Sequence, residues 1–185
     1  MVMAAKTLIT LEEFDALPDD GFKHEINRGE LVTMTLPMPK HNRAIRRILR
    51  LFERYLERNP VGEVFLPDTP YILSHQGEPV TLRGPDLTFI SRQRLAAVDE
   101  NRKIQGAAEL TIEVVSPSDR PRELLEKVAQ YLAAGGKLVW LVYPDEREVH
   151  VFDASGPMRI LGVNDTIEVP ELLPGFSARV ASFFE

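Results

Sequence analysis

"LTIEVVSPSDRPRELLEKVAQYLAAGGKLVWLVYPDEREVHVF", residues 110–152, carries the pattern that decides the fold. Leu110–Val115 is a β-branched run of strand character. Ser118 or Asp119 then offers a cap for a helix from about Pro121 to Ala134, which Gly135-Gly136 ends. Leu124, Leu125, Val128, Tyr131 and Leu132 recur at helical spacing along it. "KLVWLVY" and "REVHVF" are strands joined by Pro144-Asp145-Glu146, a hairpin. Strand–helix–strand–strand makes this an α/β chain. One residue resists that reading. Glu113 stands inside the first strand, and burying an ion costs several kcal/mol unless it is paired or metal-bound.

Outward from this stretch the elements are shorter. "ITLEEF" predicts a capping box, Thr10 with Glu13, and an Ile9–Phe14 staple opening a helix to about Leu17. "HEINRGELVTMT" predicts two strands around an Asn27-Arg28-Gly29 turn. From His41 to Arg58 a helix places Ile45, Ile48, Leu49, Phe52 and Leu56 on one side, and Arg43, Arg47, Arg50, Arg54 and Arg58 on the other. Extended segments are expected at 64–73 and 86–90, and a loop with some helix at 92–106. "MRILG" and "DTIEV" are expected as edge strands before a short carboxy-terminal segment. The whole span, 1–185, is read as one domain without repeats or linkers.

Composition narrows the chemistry. Hydrophobic residues make up 44% and charged residues 27%, which fits a folded chain rather than a disordered one. There is no cysteine, so disulfides and thiolate metal sites are excluded, and any metal would be a hard cation such as Mg²⁺ or Mn²⁺. "MVMAAKTLIT" lacks a long apolar stretch and no window reaches membrane-spanning length, so a cytoplasmic location is expected. The net charge of −6 opposes a simple cationic nucleic-acid binder. Yet Lys40, Arg43, Arg46, Arg47, Arg50, Arg54 and Arg58 against Glu53 and Glu57 give residues 40–58 a local charge of +5.

Asp86 opens a strand after Gly84-Pro85, Glu113 lies mid-strand, and Lys127 flanks the apolar face of the following helix. If the two strands are neighbours, both carboxylates meet. At about 4 Å, with an effective dielectric near 20, they repel by roughly 4 kcal/mol. One then takes a proton, or a divalent cation sits between them. A Mg²⁺ held by two carboxylates and substrate phosphate oxygens points to phosphoryl chemistry. Each residue also has a plainer reading. Asp86 can cap a turn, Glu113 can face water with Thr111, and Lys127 can pair with Glu123.

"GPDLTFIS", "LTIEVVSPSD", the lysine and tyrosine of "EKVAQYLAAGG", and "LVWLVYPDEREVHVF" occur together and in order. With "HEINRGELVTM" and "PMPKHNRAIRRIL" upstream, the set resembles the PD-(D/E)XK nuclease superfamily in its Uma-type branch of restriction endonucleases, over nearly the whole chain. The resemblance implies a restriction-endonuclease-like core, a central mixed β-sheet flanked by helices, with an added amino-terminal hairpin and carboxy-terminal strands. It implies Asp86 and Glu113 as ligands of Mg²⁺ or Mn²⁺, and Lys127 as the motif lysine relocated to a helix, since Val115 occupies its usual place. Glu25 is implied as a further acidic group near the metal that assists catalysis, with His41, Ser116 and Tyr131 in supporting places. Glu123 stands where this branch often has Asp.

The expectation is a Mg²⁺-dependent DNA endonuclease, with Arg43, Arg47, Arg50 and Arg54 as candidate DNA contacts. Cutting two strands would suit a homodimer, although no residue pattern shows one. Two rivals stand beside it: a catalytically silent nucleic-acid-binding or interaction module on the same fold, and a hydrolase of small phosphoesters. Several residues keep alternatives. Glu25 can pair with Lys23 or Arg28, His41 can be an exposed cap-region residue, the arginines can be a solvated face, and Trp140 reads as core rather than a base-stacking platform.

Overall fold

The computed structural model describes residues 8–185. Residues 1–7, over which no leader was expected, lie outside the described residues. A capped turn of helix, α1 (Leu11–Asp15), precedes a hairpin of β1 (His24–Asn27) and β2 (Glu30–Thr33), then α2 (Pro39–Leu56). β3 (Gly62–Phe65), β4 (Tyr71–Ile72), β5 (Leu82–Arg83) and β6 (Leu87–Ser91) follow, with α3 (Arg92–Leu95), β7 (Ile104–Gln105) and β8 (Leu110–Val114). The last part runs α4 (Pro121–Ala133), β9 (Leu138–Tyr143), β10 (Glu148–Asp153), β11 (Arg159–Gly162), β12 (Thr166–Glu168), β13 (Ser177–Arg179) and a 3₁₀ turn, Val180–Phe183. Among the described residues no helix is long and apolar enough to cross a membrane.

Local chemistry explains most boundaries. The capping box forms as expected: the Glu13 amide donates to Thr10 Oγ1 at 3.2 Å, and the Thr10 amide donates to Glu13 Oε2 at 2.8 Å. The β1–β2 turn sets Arg28 and Gly29 at φ of 50° and 81°, the left-handed pair that a tight hairpin needs. α4 begins at Pro121 with no side-chain cap, so neither Ser118 nor Asp119 caps it. Asp119 Oδ2 instead accepts from the Ser116 amide at 2.8 Å and closes the preceding turn. Pro121 removes one amide that a cap would have had to satisfy.

Six strands form a mixed sheet in the order β11-β10-β9-β8-β6-β3. β8 and β9 are parallel across the α4 connection, and the other neighbours are antiparallel. A second sheet, β2-β1-β5-β4-β7, includes two-residue strands at β4, β5 and β7. Such strands are too short to show alternation, and residues 64–73 break into β3 and β4 instead of one extended run. "MRILG" is an edge strand of the main sheet, but "DTIEV" is not: β12 pairs with β13 in a separate ribbon. The reason is burial, since Ile167 and Ala178 on that ribbon join the core under α2.

Both faces of the main sheet are covered. Ile45, Ile48 and Phe52 of α2 pack with Leu87, Ile112, Trp140 and Phe183 on one face. Leu124, Val128 and Tyr131 of α4 pack with Ile90, Val139 and Leu141 on the other. Leu125, expected on that apolar face, is exposed. Trp140 is fully buried, its ring centroid 5.9 Å from Phe52 and 6.1 Å from Phe183, so it is core. Every residue of β8 is buried, Thr111 and Glu113 included, and this overturns the water-facing alternative. A central strand covered on two sides has no solvent face to offer.

α4 ends in a Schellman arrangement, with the Gly136 amide donating to Tyr131 O at 2.9 Å and the Gly135 amide to Leu132 O at 3.2 Å. A Cβ on Gly136 would stand 2.8 Å from Tyr131 O and 3.3 Å from Ala108 O. Gly136→Ala is therefore expected to destabilise the fold by about 1–3 kcal/mol through overpacking, read as a lowered midpoint in urea unfolding.

Candidate active site

The chain leaves the second sheet and enters the first at Gly84–Asp86, and this passage assembles the site. β1 pairs with β5 through Ile26 and Leu82, a register that sets Glu25 opposite Arg83. β6 pairs with β8 through Leu87 and Ile112, a register that sets Asp86 opposite Glu113. α4 then presents Lys127, Gln130 and Tyr131, at i, i+3 and i+4, to both pairs.

Three buried carboxylates result, each with named partners. Glu25, 1% exposed, accepts from the Gly84 amide at 3.1 Å and from Arg83 Nη1 at 3.0 Å. Lys127 Nζ lies 3.4 Å from Glu25 Oε2 and 3.5 Å from Glu113 Oε1. Tyr131 donates to Glu113 Oε1 at 2.6 Å. Asp86 Oδ2 accepts from the Val114 amide at 2.7 Å and lies 3.2 Å from His41 Nε2. Gln130 Oε1 accepts from Arg83 Nε and Nη2 at 3.0 and 2.7 Å, while its amide donates to Asn27 Oδ1 at 2.7 Å.

The plainer readings give way one by one. Asp86 does not cap a turn; its carboxylate spans to β8. Lys127 pairs with Glu25 and Glu113 rather than Glu123, which takes Arg120. Glu25 has Lys23 only at 4.0 Å, and Arg28 turns to Glu126. His41 is no exposed cap residue, because its side chain is 11% exposed and rests on Asp86.

The electrostatics separate the carboxylates. Burial pushes Glu25 up, but Lys127, Arg83 and Lys23 outweigh it and hold it below the ordinary value of 4.5. Burial raises Glu113; Lys127 and the Tyr131 hydrogen bond oppose, while the Asp86 and Glu25 charges reinforce, and Glu113 stays above the ordinary range. Burial alone would lower Lys127, yet Glu113 and Glu25 raise it, so it remains an ammonium. Burial also disfavours a charged His41, but the hydrogen bond and charge of Asp86 carry it above its usual value. Held as an ammonium by Glu113 and Glu25, Lys127 is suited to a role other than that of a base. It can donate hydrogen bonds and stabilise negative charge.

These groups open onto a cleft of about 790 Å³ lined by Lys23, His41, Asp86, Glu113, Ser116 and Lys127 among others. Ser116 brings a half-buried side chain to the rim, its amide tied to Asp119. Among the described residues, Asp86 Oδ1 and Glu113 Oε2 accept no protein hydrogen bond. No three His, Asp or Glu side chains among the described residues gather as a metal-holding cluster. The donor set is thus two carboxylates, which suits a cation that keeps most of its waters rather than a closed tetrahedral zinc site. Arg43, Arg47, Arg50 and Arg54 lie outside the cleft on the outer side of α2.

Sequence reasoning missed Arg83, Gln130 and Asn27. Arg83 had one available signal, its place three residues before Asp86. Gln130 had another, three residues after Lys127 on the same helical face. Lys23 was read only as a partner for Glu25. It lines the cleft, donates to Gly84 O and pairs with Asp68 at 2.8 Å.

A family model described as "Uma2: Putative restriction endonuclease" matches residues 11–181. No curated protein matches the sequence. Among solved structures, one titled as a putative nuclease belonging to DUF820 from Anabaena variabilis superposes with a TM-score of 0.79 at 21% identity. The alignment covers 95% of this chain and 97% of that one. The likeness places the present fold with that protein's, a restriction-endonuclease-like α/β architecture.

Arg83→Met leaves Glu25 buried without its guanidinium partner, and a broken buried pair costs about 3–5 kcal/mol. Because the folded Glu25 titrates below 4.5, its stabilisation is complete above that pH and fades as pH falls through the lower folded value. The gap between wild type and Arg83→Met in urea unfolding is therefore expected to be widest near neutrality and to narrow in acid.

Proposed function

The chain belongs to the Uma2 family, described as putative restriction endonucleases, and on that premise we propose that it is a divalent-cation-dependent endonuclease hydrolysing DNA phosphodiesters. The observation that carries the proposal is the convergence of Asp86, Glu113 and Lys127 on one cleft, from two strands and a helix. The nuclease title of the Anabaena variabilis protein is consistent with it.

Asp86 and Glu113 would hold Mg²⁺ or Mn²⁺, Asp86 through Oδ1 and Glu113 through Oε2. Such a cation, when bound, supplies Lewis-acid charge to a phosphate oxygen and acidifies a bound water. The remaining work falls to the chain. Lys127 points its ammonium at the same place, orienting the attacking water and countering charge on the phosphoryl oxygens. Glu25 assists as the further acidic group near the cation, holding Lys127 and Arg83 in position. Tyr131 fixes one oxygen of Glu113, and the Val114 amide and His41 fix one of Asp86. Ser116 stands at the rim. In the reaction the bond from water oxygen to phosphorus forms as one ester P–O bond breaks; the attacking water gives up one proton to solvent and the leaving oxygen takes one up. Two cuts in a duplex call for two such sites, which a homodimer would supply.

A second reading, the catalytically silent binding module, draws on one observation. Asp86, Glu113 and Glu25 already face His41, Lys127 and Arg83, so the cluster is close to neutral without a cation.

Nicking of supercoiled plasmid in Mg²⁺ or Mn²⁺ distinguishes the two. Wild-type protein is expected to nick, and chelator to abolish nicking. Asp86→Ala and Lys127→Met should each lose about 10²-fold or more, the scale on which removing a charge-stabilising group acts. Undiminished cleavage by Asp86→Ala would rule out the assignment. Tight DNA binding that ignores Mg²⁺, with no cleavage, would favour the module. Cleavage confined to small phosphoesters, without salt-sensitive DNA binding, would favour the small-substrate hydrolase.

A further inference from the structure

α2 and the residues just after it carry Arg43, Arg46, Arg47, Arg50, Arg54 and Arg58, which at 100° per residue fall within about 120° of arc. Arg47 is half-buried and the other five are exposed. Among the described residues none of the six makes an ion pair, although Glu53 and Glu57 lie in the same stretch. Many basic residues elsewhere find acidic partners, as with Lys23 and Asp68 or Lys103 and Asp15, and among the described residues those that do not, such as Arg122 and Arg159, are not gathered along one helix face. A helix that only needed a soluble face could use its own carboxylates to neutralise this stripe. Here the cations stay clustered and unpaired in a chain of net charge −6.

The stripe also has a direction. His41, Asn42 and Ile45 of the first α2 turns line the cleft, about 100–160° round the helix from Arg43, so the stripe begins at the cleft end of α2 but faces outward from it. At about 1.5 Å per residue, Arg43 to Arg54 spans roughly 16 Å, about five base-pair steps at 3.4 Å per strand phosphate. Tyr55 is the aromatic beside the stripe, and its hydroxyl is spent on Pro174 O at 2.8 Å. The surface therefore offers a line of positive charge about 16 Å long, and its neighbouring ring, Tyr55, is half-buried and packed on Phe176 at 5.5 Å between centroids, which suits a duplex backbone better than stacking on a single strand.

Resting on the endonuclease reading, we propose that the outer face of α2 is a phosphate-tracking ridge that holds double-stranded DNA leading away from the cleft. It grips backbone without reading sequence. The charge complementarity commits the occupant: a polyanion with regularly spaced phosphates.

The test measures binding of a 30-base-pair duplex in chelator, so that cleavage plays no part, across 50–300 mM salt. Wild type is expected to show a steep fall of log K with log salt. The folded quadruple variant Arg43→Gln/Arg47→Gln/Arg50→Gln/Arg54→Gln should bind at least about 10-fold more weakly at 100 mM salt. Its slope should be shallower by about 2–4, near 0.9 for each phosphate that is no longer neutralised. If the quadruple variant does not fold, Arg50→Gln and Arg54→Gln singly, each on the exposed surface, should each flatten the slope by about 1. Variants that keep wild-type affinity and slope overturn the ridge. Equal or tighter binding of a single strand or of RNA overturns the duplex as occupant. Plasmid nicking by wild type, run in parallel, reports on the cleft: nicking with an intact variant slope sinks the ridge alone, and salt-steep binding without nicking sinks the catalytic reading alone.

Discussion

Lys127 between Glu25 and Glu113 is the interaction on which the site depends. Two carboxylates drawn from different sheets stand within 3.5 Å of one ammonium, and its charge opposes the burial that disfavours ionising either of them. The lysine ties α4 to both sheets at once. It also explains why the carboxylates differ: Glu25 gathers Arg83 and the Gly84 amide and is held ionised, whereas Glu113, beside Asp86, is left wanting positive charge.

That arrangement is costly to fold, and the surroundings share the cost. Gln130 braces Arg83 from α4 and is itself anchored to Asn27 of β1. Tyr131, fully buried, commits its hydroxyl to Glu113. The Gly135-Gly136 terminus stops α4 one turn beyond them, so the register of the lysine, glutamine and tyrosine is set by backbone geometry as well as by side chains. The polar cluster is thus a connected network rather than three separate pairs, and such networks hold a unique geometry when every member is satisfied.

The acidic balance of the chain and its arginine stripe are compatible because they occupy different places. Asp86, Glu113 and Glu25 are buried at the meeting of two sheets, while among the described residues the arginines along the outside of α2 have no ion-pair partner. On the proposed reading, a protein of net charge −6 would repel nucleic acid over most of its surface and accept it along one line, a distribution that total charge cannot express.

Patterns of local origin were legible in the residues. The capping box, the Arg28-Gly29 turn, the α2 and α4 spans and the β9–β10 hairpin follow from spacing and turn chemistry within a few residues. Asp86, Glu113 and Lys127 stood out as chemically awkward residues in a familiar order. What the order could not convey was partnership. Glu25 to Arg83, Tyr131 to Glu113, Gln130 to Asn27 and His41 to Asp86 join positions between 18 and 103 residues apart. Two-residue strands such as β5 give no periodic signal, yet β5 is what carries Arg83 to Glu25. Residue order by itself determined the α/β class, the main helices and which side chains were available for chemistry, because those depend on near neighbours. Burial, pairing and the cleft were decided only by the tertiary structure, because desolvation and charge compensation depend on distances that exist only after two sheets and a helix have met.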